Sequence, residues 1–435
     1  MTLFGAGARR NRGGGGGRGR RRVVLALLRN RPYRLYWTGQ VLSQLGSDIS
    51  VVALAFAVFA VGGGPGGLGL VLAARMIPQP LMAVVGGAAA YRTSTERVMV
   101  SAHLVSGLAQ SAAVVLLLSG VAQVWHLTLL ALVTGAANGF FVPAQQSVVP
   151  QIVEPEVRQQ ANALLRFPQN ASKMAGRAVG GIVVAFAGPG WAIACDALSF
   201  FGAALLLSRV GVPLLREEGG ERTKVLSDVI EGWRAFRSRR WLWVMVLQNA
   251  VALMLWLASA QVLGPVYANE ELGGPGPWGL AVTALAAGLA AGSAMAMAWR
   301  PRHAGPLVCG CMATMALPMA VMAAHGQLAA LCLAMLIAGI GVDTAMVTWT
   351  GLMQEHIPVE QLSRVLSFSN VGPLVLVPLG YVLAGPATAA VGLHTALGLG
   401  AAVVLAVAAA PLMLADVRAL SRRGPELRTP EAAVA

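Results

Sequence analysis

The sequence predicts an all-α integral membrane protein of twelve transmembrane helices in two pseudo-symmetric six-helix bundles, with both termini in the cytoplasm. Three observations lead there. Its 435 residues are 56% hydrophobic and only 11% charged, whereas a soluble domain carries about 25% charged residues. Apolar runs of about 20 residues, the length at which a helix crosses hydrocarbon, recur from Tyr36 to Leu414. Of the 32 Lys and Arg, only Arg75, Arg166, Lys173 and Arg177 fall inside those runs. The others lie at the two ends and in alternate loops, and the positive-inside rule makes that side cytoplasmic. A net charge of +14 would suggest nucleic acid in a soluble protein, but sorted in this way it implies anionic lipid at the cytoplasmic face and no nucleic-acid partner.

Taken in order, residues 1–35 are a basic tail. Its RRNRGGGGGRGRRR stretch, Arg9 to Arg22, cannot bury a core and is read as disordered. The N-terminal bundle spans residues 36–208. Span 1, Tyr36 to Val61, repeats Gln40, Gln44 and Asp48 every fourth residue, which stacks them on one helical face with Asp48 near mid-depth. Span 2, Leu68 to Ala90, carries Arg75 and is expected to kink at Pro78 and Pro80. A polar link leads to span 3, Arg97 to Ser119. Span 4, Trp125 to Val148, contains Asn138, Pro143, Gln145 and Gln146, too polar for lipid on at least one face. Span 5 runs from Asn162 to Ala187, and span 6, Trp191 to Ser208, buries Asp196.

Residues 209–240 are a cytoplasmic linker. Within it Val225, Leu226, Val229, Ile230, Trp233 and Phe236 share a helical face opposite Asp228, Glu231, Arg234 and Arg237, the pattern of a helix lying along the inner membrane surface. The C-terminal bundle, residues 241–415, follows with spans at Trp241 to Tyr267, Trp278 to Trp299, Ala304 to Ala324, Leu328 to Met353, Leu362 to Leu383 and Ala389 to Leu414; residues 416–435 are a second cytoplasmic tail. Span 7 contributes Gln248, Asn249, Trp256 and Gln261. Span 8 has Gly288 and Gly292 four apart, a face for close helix packing. Span 10 has Asp343 near mid-depth and Trp349 beyond it.

Span 5 is the most unusual of the twelve. At about 3.6 residues per turn, its Arg166, Asn170, Lys173 and Arg177 form one polar stripe, and charge at bilayer depth faces a bundle interior or a watery cavity rather than lipid. One or two nearby carboxylates cannot neutralise Arg75, Lys173 and Arg177 together, and the surplus favours an anionic or amphiphilic small molecule. The contrasting reading is a buried ion network that only sets helix register. Asp48 and Asp343, at similar depth in opposite halves, and Asp196 are the candidates for holding a proton, because burial disfavours a charged carboxylate while a neighbouring cation favours it. Trp256 and Trp349 could stack on a planar cargo or simply pack. No cofactor is expected: no glycine-rich phosphate loop is followed by Lys and Ser/Thr. His103, His126, His303, His325, His356 and His394 show no ligand-like spacing, so no metal is assigned to them. Cys195, Cys309, Cys311 and Cys332 read as small core residues.

Two stretches about 200 residues apart, IVEPEVRQQANAL with VGGIVVAFAG and HIPVEQLSRVLSF with LGYVLAG, are weakly alike, a mark of transporters assembled from repeats. RPYRLYWTGQVLSQLGSDIS at the first span, GAANGFFVPAQQSVVP at the fourth, ANALL entering the fifth, Asp196 before LSFF and VPLGYVLAGP in the eleventh add to this. On these residues the chain resembles the major facilitator superfamily from about Tyr33 to Asp416, and within it the bacterial branch of enterobactin exporters and macrolide-type efflux proteins. Two family motifs are altered. In the loop after span 2, Gly87, Arg92 and Arg97 remain while Tyr91 replaces the acid and Ser94 the glycine, which implies a weaker or rebuilt cytoplasmic latch. The antiporter pattern of span 5 becomes Gly176, Arg177, Ala178, Val179, Gly180, Gly181, with a buried cation where the family has a proline.

The resemblance implies two bundles rocking about a central cavity lined mainly by spans 1, 4, 7 and 10, and a secondary transporter rather than an enzyme. It implies a multi-pass monomer of the bacterial cytoplasmic membrane that couples efflux of a drug-like or natural-product molecule to protons. Gln40, Gln44, Arg75, Asn138, Gln145, Arg166, Asn170, Lys173, Arg177, Gln248, Asn249, Trp256 and Trp349 are the candidate cavity residues, and Gly87, Tyr91, Arg92 and Arg97 the candidate gating loop. The rivals are an exporter of an acidic siderophore-like chelator, a symport importer, and a non-transporting membrane scaffold or sensor that kept the fold.

Overall fold

The computed structural model describes residues 26–83, 85, 94–211, 233–234, 236–298, 303–357 and 359–420. In chain order the helices are α1 (Arg31–Ala60), α2 (Pro65–Met76), α3 (Thr95–Leu118), α4 (Val124–Ile152), α5 (Arg158–Ala187), α6 (Pro189–Leu207), α7 (Arg240–Glu271), α8 (Pro275–Ala298), α9 (Ala304–Ala323), α10 (Leu328–His356), α11 (Val359–Val391) and α12 (Leu393–Ala409). Among the described residues, ten of these are long and apolar enough to cross a membrane. The two that do not meet that description are α2, whose stretch is 12 residues long, and α5, which carries the polar stripe. The protein is thus a multi-pass membrane protein. Large apolar side chains such as Leu108, Val115, Phe186 and Leu198 are exposed on its outside, as a lipid-facing surface requires. The linker's amphipathic helix falls mostly outside the described residues, but Phe236 is buried with Leu242, Met353, Ile357 and Val365. Phe236 therefore faces protein, whereas Trp233 of the same face is exposed. Cys309 alone of the four cysteines is buried, and Cys195 is exposed, correcting the core reading for the latter.

The start of α1 shows why the quoted stretches belong together. Pro168 inside α5 has no N–H to give the carbonyl four residues earlier, that of Leu164. The indole of Trp37 donates to that oxygen at 3.0 Å. Tyr33 donates to the carbonyl of Ala161 at 2.8 Å and Tyr36 to that of Gln145 at 3.3 Å. The aromatic residues of RPYRLYW therefore clamp α1 to the ANALL stretch of α5 and to the end of α4.

In the N-terminal half α1 packs on α5 and α6, α3 on α4 and α6, and α2 on α4; in the C-terminal half α8 packs on α10, α7 on α11 and α12, and α9 on α10 and α12. The halves meet through two equivalent pairs, α5 with α8 and α2 with α11. Both crossings are glycine-lined: a Cβ on Gly181 would stand 3.0 Å from the Cα of Gly279, and one on Gly69 would run into the carbonyl of Tyr381. The face predicted on α8 is present, since Gly288 lies against the carbonyl of Leu336 and Gly292 against that of Ile340, both on α10.

This packing makes Gly288→Ala a sharp test. The new methyl has backbone, not a movable side chain, in its way, and overpacking of this kind costs about 1–3 kcal/mol. A lowered thermal midpoint of the detergent-purified protein is expected. Gly310→Ala on α9, with nothing within 4 Å of its would-be Cβ, is expected to be neutral or slightly stabilising.

Candidate functional site

The four-residue repeat on α1 delivers what its spacing promised. Gln44 donates to the Asp48 carboxylate at 2.9 Å, and Asp48 is buried. Across from it Gly176 lets α5 come so close that a Cβ there would be 2.7 Å from the Cβ of Asp48. The next residue, Arg177, places its Nε 3.9 Å from Asp48 Oδ1. That Nε has no hydrogen-bond partner among the described residues, so the contact is an ion pair without the donor–acceptor geometry that would compensate for loss of water. Lys173, one turn earlier, is exposed. Arg166 and Asn170 lie on α5, and their side chains are outside the described residues.

Several of the remaining candidates line one of two cavities. The first, of about 200 Å³, lies between the halves and is walled by apolar side chains including Val52, Leu68, Leu285 and Met335, with Arg177, Trp256, Gln261 and Trp278 on its lining. Here α7 widens into a π-turn over Ser259–Leu263, just before Pro265, which has no N–H to continue the helical ladder. Such turns occur often at functional sites, and this one carries Ala260 and Gln261 on the wall. Trp278 of α8 reaches across because Gly264 leaves room for its ring.

The second cavity, of about 310 Å³, lies inside the N-terminal half and collects Gln40, Gln44, Arg75, Asn138 and Gln145 together with Ser47, His103 and Thr134. The sequence supplied no reason to place His103 here. It is buried, its ring 4.4 Å from that of Phe141 and 5.4 Å from that of Phe200, and its Nε2, like Gln40 Nε2, is buried without a partner among the described residues. Among the described residues the candidates expected in one pocket are thus split between separate cavities, with the Asp48–Arg177 pair on the α1–α5 seam.

Other candidates go elsewhere. Asp196 is fully buried and accepts from Gln110 at 2.7 Å and Ser47 at 3.2 Å, holding α6 to α3 and α1. Asp343 accepts from the Ser293 hydroxyl of α8. Gln248 points to Cys309, its Oε1 3.8 Å from the thiol sulfur, inside the C-terminal half; Asn249 beside it is half-buried. Trp349 packs edge-on against Trp241, centroids 6.0 Å apart, near the start of α7. In the gating loop Gly87, Tyr91 and Arg92 lie outside the described residues and Arg97 is exposed. Ser94, standing where the family pattern has glycine, caps α3 by accepting from the Arg97 amide at 3.2 Å, the exchange expected of a serine at a helix N-cap.

A helical membrane protein with glycine-lined helix crossings between its two halves and a cavity at their junction has close parallels. A profile of the Major Facilitator Superfamily matches residues 36–372. The chain belongs to the Major Facilitator Superfamily. As a member it is a transporter and not an enzyme. It is 25% identical over 368 residues to the multidrug efflux pump Tap of Mycolicibacterium fortuitum, covering 80% of this chain and 87% of that one. It is 26% identical over 139 residues to the MFS-type transporter YfmI of Bacillus subtilis (strain 168), a match spanning 31% of this chain and only 34% of the relative. Among solved structures, a mutant of the nucleoside transporter NupG superposes with TM-score 0.71 at 11% identity, covering 88% of this chain and 99% of that one. The peptide transporter POT in complex with sulfate gives 0.69 at 12%, covering 91% and 96%. At those identities the structural likeness concerns the fold alone.

For this superfamily member the two buried carboxylates of the N-terminal half are expected to separate in a stability assay. Asp196→Ala takes the acceptor from the Ser47 hydroxyl and leaves Gln110 Nε2 on its longer 3.4 Å contact to the Ser50 hydroxyl, at about 1–3 kcal/mol for a buried donor stranded, and is expected to lower the thermal midpoint clearly. Asp48→Asn keeps an acceptor for Gln44 and is expected to lower it less.

Proposed function

We propose that this protein is a proton-coupled exporter of amphiphilic, drug-like or natural-product molecules in the bacterial cytoplasmic membrane. It works as a monomer of twelve spans with both termini inside. The bundles at residues 36–208 and 241–415, joined by the linker 209–240, rock by alternating access. The observation that carries this reading is Arg177 on the wall of the interbundle cavity, its Nε unpartnered among the described residues and 3.9 Å from Asp48. An acid that titrates beside a cavity is what coupling needs, and Trp256, Trp278 and the apolar wall offer surface to a hydrophobic body. The efflux activity named for Tap supports export. The glycine contacts between the halves sit at the start of α2, the end of α5, the start of α8 and the end of α11. In the twelve-span topology that end is exterior, so this conformation is closed to the outside.

The charge of the cargo sets the sign of coupling. A cargo that engages ionised Asp48 through a cationic or donor group competes with the proton, and linkage then makes the cycle an antiport. A cargo with an anionic group instead competes with Asp48 for Arg177, binds best when Asp48 is protonated, and travels with the proton. An acidic compound, siderophore-like chelators included, would follow that second course. The scaffold reading is disfavoured by a central cavity that carries Arg177 and Gln261.

Reconstitution into liposomes with an imposed pH gradient and a panel of cationic and acidic dyes tests both. Counterflow of a cationic amphiphile against protons, reduced to the level of empty vesicles by Asp48→Asn, is the expected result. Acidic-dye movement in step with protons, lost with Arg177→Ala, would establish the second reading. Dye movement indifferent to the gradient would remove proton coupling altogether.

A further inference from the structure

Three side chains that no motif connects meet at one end of the C-terminal half. Glu271 closes α7, His325 lies in the turn between α9 and α10, and His394 opens α12. Glu271 Oε1 is 2.7 Å from His394 Nε2 and 3.0 Å from His325 Nδ1. The imidazole rings lie with centroids 3.6 Å apart and their planes tilted by 32°, and the three ligand atoms all lie within 4.8 Å of one another. Sequence spacing offered no hint of this, since the residues belong to three separate connections, and the absence of a metal assignment for His325 and His394 rested on spacing alone.

The hydrogen bonding of His394 is informative. Its Nδ1 is 3.0 Å from the carbonyl oxygen of Met322, which can only accept, so Nδ1 carries the hydrogen and Nε2 of the neutral ring is a bare lone pair. That lone pair faces a carboxylate oxygen at 2.7 Å, an arrangement of two acceptors that calls for a cation between them. A second proton on His394 would serve that pair alone; a metal ion would draw on both rings and the carboxylate together. Donation of one ring nitrogen to a backbone carbonyl, leaving the other free, is also how metal-binding histidines are oriented.

The backbone supplies an independent observation. Among the described residues His325 is the one non-glycine in the left-handed region, at φ 54°, a conformation that side chains adopt at a cost and that concentrates at functional sites. The turn is held there by Tyr267, whose hydroxyl donates to the carbonyl of Gly326 at 2.7 Å. With metal–ligand bonds of about 2.0–2.2 Å, tetrahedral ligands lie roughly 3.3 Å apart, so each nitrogen need draw back from the Glu271 oxygen by only tenths of an ångström to admit an ion between them. The His325 side chain is 64% exposed, leaving a path from solvent and a fourth position for water.

We propose that Glu271, His325 and His394 form a binding site for one divalent transition-metal cation, with zinc the best match to two imidazoles and a carboxylate. Magnesium and calcium, which take oxygen ligands, are excluded by the same donor set. The ion ties the end of α7 to α12 and to the α9–α10 turn, all within one half. It therefore stiffens that bundle and does not lock the two halves together. The inference stands apart from the transport reading, which contributes only that this face is exterior.

The full-length protein, purified in detergent with any affinity tag removed and stripped with EDTA, is titrated with zinc chloride by calorimetry. Bound zinc is counted by elemental analysis and Co²⁺ serves as an optical probe of coordination. The expected result is one zinc per chain and a higher thermal midpoint with zinc but not with magnesium. Glu271→Gln, His394→Ala and His325→Gln are each expected to lower zinc affinity at least about tenfold. His126→Ala, in the other half, should bind as the parent does. His325→Gln keeps the test open if the more buried variants misfold, because its side chain projects into solvent. No saturable zinc binding, or binding unchanged in the folded variants, would overturn the proposal. So would a midpoint that responds to acidification and not to zinc, which would leave the cluster held by a proton only.

Discussion

The arrangement of the N-terminal half depends on where α5 can put its positive charge. A guanidinium in the interior of a membrane protein must find a counter-charge or a wet cavity, because hydrocarbon offers neither. Arg177 has both within reach: Asp48 across the seam and the interbundle cavity on its other side. Gly176 makes this possible by removing the side chain that would keep α5 from the Asp48 turn of α1. Because the pair is long and Arg177 Nε stays without a hydrogen bond among the described residues, the contact holds the helices in register without saturating the cation. A charge half-compensated in this way can be shared with something else.

The C-terminal half repeats the device with different residues. Gly292 of α8 lies against Asp343 and Ile340 of α10, as Gly176 and Gly180 of α5 lie against Asp48 and Ile49 of α1. Each half therefore carries a carboxylate at a glycine-lined helix seam, and α5 and α8 are the helices that then meet across the midline. The partners differ. Asp48 faces a guanidinium, whereas Asp343 accepts from a serine hydroxyl, so of these two carboxylates it is Asp48 that is set against a positive charge among the described residues. This asymmetry inside a symmetric frame, and not depth in the membrane, separates the two acids as coupling candidates.

The fold was legible because a bilayer leaves few options. Backbone polar groups must be satisfied within the chain, so apolar length reports helices directly. Individual contacts were legible where periodicity places neighbours on the same helix, as with Gln44 and Asp48, or where small residues recur, as with Gly288 and Gly292. The RPYRLYW stretch of α1 and the ANALL stretch of α5 resemble family features in the sequence, while their structural role lies in a tertiary contact. Trp37 filling the carbonyl that Pro168 leaves open is that contact, and it joins residues 127 positions apart.

What the sequence determined alone is the class of molecule, a multi-pass helical membrane protein, and the polar stripe on α5, because each of these follows from local composition and helical spacing. Only the tertiary structure decided which polar residues share a space. The division into two cavities, the retreat of Trp349 to a packing role, the arrival of His103 beside Gln40 and the meeting of Glu271 with His325 and His394 all depend on how helices rotate about their axes when they pack. That rotation is set by the summed fit of many side chains across several interfaces, and no single stretch of sequence contains it.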